Sequence, residues 1–73
     1  MTKEILARLD GVLLKVSVKE GQVVKARDEL YVVESVKSEL FVRAPYDGKV
    51  ERILRSPGTS VKGDDIVLVM KTT

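Results

Sequence analysis

The chain is 73 residues long and 44% hydrophobic, which is enough for one small domain with a modest core. It contains neither cysteine nor histidine, so disulfide bonds, thiolate nucleophiles and the commonest metal ligand and general base are excluded. Its 13 basic and 11 acidic residues alternate and leave a net charge of +2, which is typical of a solubilising surface. We therefore expect residues 1–73 to form a single non-catalytic domain.

No signal for a membrane or for export occurs in the sequence. It has no run of about 18 apolar residues and no signal-peptide pattern, so we expect a cytoplasmic protein without a membrane partner. Basic residues are not clustered, and Tyr31, Phe41 and Tyr46 are the only aromatic residues, so we expect no nucleic-acid partner. An RNA-binding β-barrel is a lesser alternative, which steeply salt-dependent oligonucleotide binding would reveal.

Short apolar segments separated by turn residues predict an all-β protein. Glycine or proline recurs at positions 11, 21, 45, 48, 57, 58 and 63, which leaves no long segment for an amphipathic helix. In the first predicted strand Leu14, Val16 and Val18 alternate with polar residues, so we expect these three side chains on one face. The further predicted strands are residues 30–33, 40–42, 50–54 and 66–70.

The sequence repeats itself at an offset of 37 residues. Over residues 7–25 the offset gives six identities in nineteen positions, against roughly one expected by chance. Dropping one residue near Arg27 continues the alignment, with residues 28–33 over residues 64–69. The chain is therefore predicted to be an approximate duplication.

Each predicted half has one apolar face and unpaired strand edges, so it cannot be stable alone. Two halves related by a pseudo-two-fold axis would bury their faces in a small sandwich or flattened barrel, with the junction between them opposite the chain termini. The glycines that recur in both halves are interpreted as turn residues that need a positive φ or a close backbone approach. A phosphate-binding role is disfavoured because no glycine-rich loop opens a helix.

Lys37 lies at the junction, at the predicted tip of a hairpin. The apolar segments 30–33 and 40–42 flank a polar break of only a few residues, which predicts a tight turn. Because the break has no Gly, Asn or Pro, we expect Val36 or Lys37 to adopt a backbone conformation that bulky residues take only under constraint. A lysine at a hairpin tip is also typical of a solvated or edge-protecting charge, so the turn by itself leaves both interpretations open.

The chain resembles a biotinyl/lipoyl carrier domain over nearly its whole length. The segments that carry the resemblance are Asp10-Gly11, Glu34-Ser35-Val36-Lys37, Ala44-Pro45-Tyr46-Asp47-Gly48 and Gly63-Asp64-Asp65-Ile66. It implies a flattened barrel of two four-stranded antiparallel sheets, a barrel-sandwich hybrid, with one acylated lysine in the hairpin between two quasi-symmetric halves. Lys37 has the family's spacing to the Ala-Pro-x-x-Gly turn, so the resemblance makes it the attachment residue.

The residues around Lys37 leave the attached group open between biotin and lipoate. Biotin-accepting domains usually have methionines where this chain has Val36 and Ser38, and lipoyl domains usually have an acidic residue in place of Val36. Glu34-Ser35-Val36-Lys37 is similar to the lipoylated carrier protein of glycine cleavage, whereas the later turns are similar to biotinyl domains of acyl-CoA or pyruvate carboxylases. Biotin is favoured because Val36 is closer in character to Met than to Asp.

The resemblance implies carriage rather than catalysis. A prosthetic group on Lys37 would act as a swinging arm between active sites, with a biotin or lipoate protein ligase and carboxylase and carboxyltransferase components as partners. The alternatives are a lipoyl carrier of an oxo-acid dehydrogenase or glycine-cleavage-like system, and an unmodified interaction module with the same fold. The hairpin residues expected to tune ligase recognition are Glu34, Ser35, Val36, Ser38 and Glu39.

Overall fold

The computed structural model describes residues 1–72, which form eight β-strands and no helix. The strands are β1 (Thr2–Leu6), β2 (Gly11–Val16), β3 (Val23–Val24), β4 (Glu29–Glu34), β5 (Glu39–Arg43), β6 (Gly48–Ile53), β7 (Ser60–Val61) and β8 (Ile66–Thr72). They make two four-stranded antiparallel sheets, sheet A in the order β1-β8-β6-β3 and sheet B in the order β5-β4-β2-β7. The predicted fold class is confirmed. Within the described residues no helix is long enough to cross a membrane.

The core lies between the two sheets and is apolar. Its largest fully buried side chains are Tyr31, Leu13, Leu30, Leu68 and Met70. No polar or charged residue is buried among residues 1–72 apart from the hydroxyl-bearing Tyr31. Burial of apolar surface therefore supplies the main stabilising contribution, as expected for a domain of this size without disulfides.

The two halves, β1–β4 and β5–β8, share one hydrogen-bond register at a constant offset. Val16 pairs with Tyr31 in sheet B, and Ile53 pairs with Leu68 in sheet A. Each residue of the second pair lies 37 positions after its counterpart in the first. The same offset relates the register of β1 on β8 to that of β5 on β4. The duplication predicted from the sequence is confirmed in three dimensions.

The gap predicted near Arg27 is wrong. The backbone N–H of Lys25 donates to the Asp28 carboxylate at 2.9 Å, and the N–H of Lys62 donates to the Asp65 carboxylate at 2.9 Å. Both turns therefore have the same length and the same side-chain cap, and the offset stays at 37 through the last strand. The two acidic pairs are equally compatible with either alignment in the sequence, and only the strand register decides between them.

Two aspartates link the two halves through a reciprocal pair of hydrogen bonds. The Asp47 carboxylate accepts a hydrogen bond from the backbone N–H of Ala26 at 2.8 Å. Its counterpart Asp10 accepts one from the backbone N–H of Gly63 at 2.7 Å. Each half thus satisfies a turn amide of the other, which explains why Asp-Gly recurs in both copies.

The repeated glycines serve two purposes, as the sequence suggested. Gly21 and Gly58 have φ values of 88° and 90°, a left-handed conformation that favours glycine in their turns. Gly11 and Gly48 begin equivalent strands and have no such φ; a Cβ on Gly48 would lie 2.6 Å from the Lys71 carbonyl oxygen. These two positions therefore require close backbone approach rather than a special dihedral angle.

The sequence prediction is wrong about the face on which Leu14 lies, and it misses strand β1. A β-bulge shifts the register between Leu13 and Lys15, so Leu13 is buried in the core and Leu14 is 44% exposed. Leu14 therefore does not share the inward face with Val18, which lies buried beyond the end of β2. Strand β1 was not predicted, because only Ile5 within it is buried and its pairing with β8 supplies the rest.

Tyr31 joins the two sheets through its hydroxyl group. The side chain projects from β4 of sheet B and its O–H donates to the backbone carbonyl of Leu6 in β1 of sheet A. Burial raises the pKa of the phenol well above its ordinary value, so the hydroxyl stays a donor. The acceptor lies beside a register shift between Ile5 and Leu6, where the regular ladder of sheet A is interrupted.

Replacing Tyr31 by Phe is expected to lower the free energy of unfolding by about 1–2 kcal/mol, because the Leu6 carbonyl loses its donor in a partly buried position. Urea denaturation of the purified domain measures this. Tyr46→Phe is the matched control at a half-buried tyrosine and should change stability by less than about 0.5 kcal/mol. Equal effects of the two substitutions would contradict an inter-sheet role for the Tyr31 hydroxyl.

Candidate functional site

The candidate site is the two-residue turn between β4 and β5. The backbone N–H of Ser35 donates to the Ser38 carbonyl at 2.8 Å, which closes the hairpin around Val36 and Lys37. The N–H of Ser38 donates to the Ser35 hydroxyl oxygen at 3.2 Å, so a side chain satisfies the second turn amide. Ser35 and Ser38 thus have a structural role in holding the tip.

The backbone strain predicted at this tip is wrong. Among residues 1–72 the only non-glycine residues with a positive φ are Arg8 and Arg27, so neither Val36 nor Lys37 adopts the left-handed conformation. The turn therefore closes without a positive φ at either central residue, and the Ser35 hydroxyl oxygen accepts from the Ser38 amide.

The two central residues of the turn project into solvent. Val36 is 102% exposed, and Lys37 is also exposed. The Ser35–Ser38 pair corresponds, at the 37-residue offset, to the pairing of Thr72 N–H with the Met1 carbonyl at 3.0 Å. The tip therefore lies at the end of the molecule opposite Met1 and Thr72, as the duplication predicted.

Gly11 holds the base of the tip. A Cβ on Gly11 would overlap the carbonyl oxygen of Glu34 and would lie 3.3 Å from the Ser35 Cα. The start of β2 therefore packs against the last residue of β4 at a distance that only glycine allows. The sequence indicated a positive φ or a close backbone approach for the repeated glycines, but only the fold shows that residue 11 lies beside residue 34.

A shallow depression lies beside the tip and is lined by both apolar and acidic residues. Its lining residues are Asp10, Gly11, Val12, Glu34, Ser35, Val36 and Lys37. Glu34 and Glu39 are direct cross-strand partners at the last pair before the turn. The five predicted flanking residues are therefore gathered around Lys37, although two of them hold the turn and two carry charge.

Comparison with known proteins identifies the family to which this chain belongs. The family model described as "Biotin-requiring enzyme" matches residues 2–70. The chain belongs to this family. Two relatives are a pyruvate carboxylase of Aspergillus terreus, 36% identical over 66 residues, and the propionyl-CoA carboxylase alpha chain of Ruegeria pomeroyi, 34% identical over 67 residues. The alignments cover 90% and 92% of this chain but only 6% and 10% of those proteins.

Solved structures agree with the relatives. A single-chain, multi-domain long-chain acyl-CoA carboxylase contains a segment that matches 99% of this chain with a TM-score of 0.92 and 30% identity. The urea carboxylase of Kluyveromyces lactis matches 97% of it with a TM-score of 0.88 and 30% identity. The matches span 7% and 6% of those chains, so this fold forms a small part of large carboxylases. The family assignment is of the biotin carboxyl carrier type, for which the cofactor is biotin.

The tip fits a covalently attached group. Attachment through an amide needs an exposed amine that is held away from the body of the domain, and Lys37 meets that requirement. The Ser35–Ser38 closure and the Gly11 contact fix the backbone beneath it. Val36 and Ser38, on either side of Lys37, are exposed as well.

Substituting Gly11 or Gly48 by Ala is expected to separate stability from presentation of the tip. Both variants should lose about 1–3 kcal/mol of unfolding free energy, because each new methyl group overlaps a backbone carbonyl. Only Gly11→Ala displaces Glu34 and Ser35, so it alone should slow enzymatic biotinylation of the folded domain, by about tenfold. Urea melts and initial ligation rates under conditions where both variants are folded test this. Equal ligation rates for the two variants would show that Gly11 does not position the tip.

Proposed function

We propose that residues 1–73 act as one biotin carrier unit of a multi-component carboxylase, with Lys37 as the residue that bears biotin. The observation that carries the proposal is an exposed lysine on a closed two-residue turn, at the outermost tip of a domain of this family. The chain matches only 6–10% of the length of the carboxylase relatives. That it works as part of a whole carboxylase is therefore also part of the proposal.

The domain's part in the reaction is presentation. A biotin protein ligase would activate the carboxyl group of biotin with ATP as a mixed anhydride with AMP. The deprotonated Lys37 Nζ atom would then form the amide bond to the carboxyl carbon as the C–O bond to AMP breaks and a second proton is lost, which removes the positive charge of the lysine. When bound, biotin supplies a ring nitrogen that takes up and releases a carboxyl group. The Ser35–Ser38 turn and Gly11 keep the base of this arm fixed, so that flexibility is confined to the side chain and its attached group.

The chain itself supplies no catalytic group in this proposal. Without histidine or cysteine, its tip has only serine hydroxyls and carboxylates beside Lys37, and the hydroxyls of Ser35 and Ser38 bond one another at 3.3 Å. The carboxylase and carboxyltransferase components would perform the chemistry at their own active sites. The cytoplasmic location is part of the same proposal, and fractionation of the native host with detection of the biotinylated chain tests it.

Lys37→Arg is expected to abolish biotin attachment, because a guanidinium group does not replace the amine nucleophile. A stoichiometric mass increase on wild-type protein from its native host, located at Lys37 by peptide mass spectrometry, is the positive result. Lys71→Arg is the matched control, since Lys71 is an exposed lysine at the opposite end of the domain, and it should be biotinylated like the wild type.

Substitution of Lys37 should prevent biotin attachment without changing the stability of the domain. Lys37→Ala is expected to change the unfolding free energy by no more than about 0.5 kcal/mol, because the side chain is exposed. Ligation of the Lys37→Arg protein at the wild-type rate would remove Lys37 from the proposed role. Persistent absence of any mass increase with competent ligase present would favour the unmodified interaction module.

A further inference from the structure

The outer face of sheet B carries apolar side chains that the core does not use. Val32 pairs with Phe41 in β5 and with Lys15 in β2, and all three face away from sheet A. Val32 is fully buried although it lies outside the core cluster, so its outward neighbours cover it. Phe41, Leu14 and Val12 remain 46%, 44% and 39% exposed. We call the three exposed residues Val12, Leu14 and Phe41, which lie around the buried Val32, the apolar strip.

The duplication provides an internal control for this strip. At the 37-residue offset Phe41 corresponds to Glu4, Leu14 to Glu51 and Val12 to Lys49 on sheet A. The same backbone positions are thus charged on one sheet and apolar on the other. Solubility and folding require no exposed apolar residues at these positions, because sheet A folds without them.

The apolar strip is continuous with the tip that carries Lys37. Val12 lines the depression beside the turn together with Val36 and Lys37. Any protein that receives the tip from the sheet B side therefore meets the strip in the same encounter. The strip and the tip form one surface.

Two carboxylates border this surface at the tip. Glu34 and Glu39 face each other directly across β4 and β5, an arrangement of like charges that destabilises a sheet. Their counterparts on sheet A are Lys71 and Thr2, which do not repel. The only side-chain ion pair within residues 1–72 joins Lys15 to Glu29 at 3.5 Å, at the far end of the strip, so it does not compensate Glu34 and Glu39.

Acylation of Lys37 changes the charge of this surface. The ammonium group is the one cation on the turn, and conversion to an amide leaves the carboxylates without it. A partner with cationic side chains around an apolar patch would therefore bind the modified tip better than the unmodified one. A ligase must bind the unmodified form and release the modified form, so this charge pattern suits a component that uses the modified arm. The carboxylase relatives differ in the acceptor that their names give, pyruvate, propionyl-CoA or urea, so the component that carboxylates biotin is the one they have in common.

We propose that the apolar strip, together with Glu34 and Glu39, is the docking surface for the biotin carboxylase component, which presents an apolar patch bordered by Lys or Arg side chains. The inference rests on the proposed function of Lys37 and adds the face of the domain by which its partner holds it. The energetic anchor is Phe41, the aromatic residue of the strip, and the carboxylates set orientation.

The first experiment measures steady-state carboxylation with the biotinylated domain as the varied substrate. The probe is the purified biotin carboxylase component of the same organism, with MgATP and bicarbonate. Phe41→Thr and Leu14→Thr should each raise KM by about fivefold or more and leave kcat unchanged, because docking and not chemistry is altered. Val23→Thr is the matched control, since Val23 is 68% exposed on sheet A, and its KM should stay within about twofold of wild type.

The second experiment tests the charge arrangement. Glu39→Gln should raise the midpoint of urea denaturation, because the like-charge pair is relieved, and yet raise KM about two- to fivefold at low salt. The KM difference should disappear at about 0.5 M salt. As unbiotinylated competitors, Lys37→Gln protein should inhibit more strongly than wild type at low salt, because it lacks the lysine charge.

The outcomes separate this inference from the function on which it rests. Normal biotinylation with unchanged KM for both Thr variants would overturn the docking surface and leave Lys37 as the attachment residue. A rise in the ligase KM without a rise in the carboxylase KM would make the ligase the occupant and would also overturn it. A wild-type domain that is never biotinylated would overturn the proposed function, and the inference with it. Urea melts of every variant exclude unfolding as the cause.

Discussion

Neither half of this chain can satisfy its own strand edges, and the whole fold follows from that constraint. Each half contributes two inner strands to one sheet and two edge strands to the other. In the first half, β2 and β4 are the inner strands of sheet B, and β1 and β3 are the edge strands of sheet A. The second half does the reverse. Removing one half would therefore unpair both sheets at once, which makes the 73-residue domain cooperative despite its small core.

The duplication also explains where rigidity is placed. The same close glycine contact occurs at Gly11, beneath the tip, and at Gly48, beneath the opposite end where Met1 and Thr72 pair. One copy of a symmetrical device thus supports the functional turn, and the other supports the region where the chain begins and ends. A rigid base is what a carrier domain needs, since a tip that moved with its arm would lose the orientation it presents to a partner.

The two halves have the same backbone arrangement but differ in the side chains that we assign to function. The register of the two halves is the same, but sheet B exposes Phe41, Leu14 and Val12 where sheet A exposes charged residues. The tip likewise carries Glu34 opposite Glu39, an unfavourable pair that the rest of the domain does not need for folding. Both features lie on sheet B or at the tip that holds Lys37, as expected if this surface contacts another molecule.

The sequence by itself determined the all-β class, the duplication and the location of Lys37 between two strands, because turn glycines and short apolar runs are local signals that need no tertiary context. It also permitted the family resemblance, which left biotin and lipoate open and favoured biotin. The tertiary structure alone decided the constant 37-residue register, the bulge that exposes Leu14, and the pairing that recruits β1. It alone showed that neither Val36 nor Lys37 has a positive φ, that the Ser35 hydroxyl caps the turn, and that Gly11 supports Glu34 from a distant part of the chain. These features depend on which backbone groups meet across strands, and residues far apart in sequence carry no local pattern that records such a meeting.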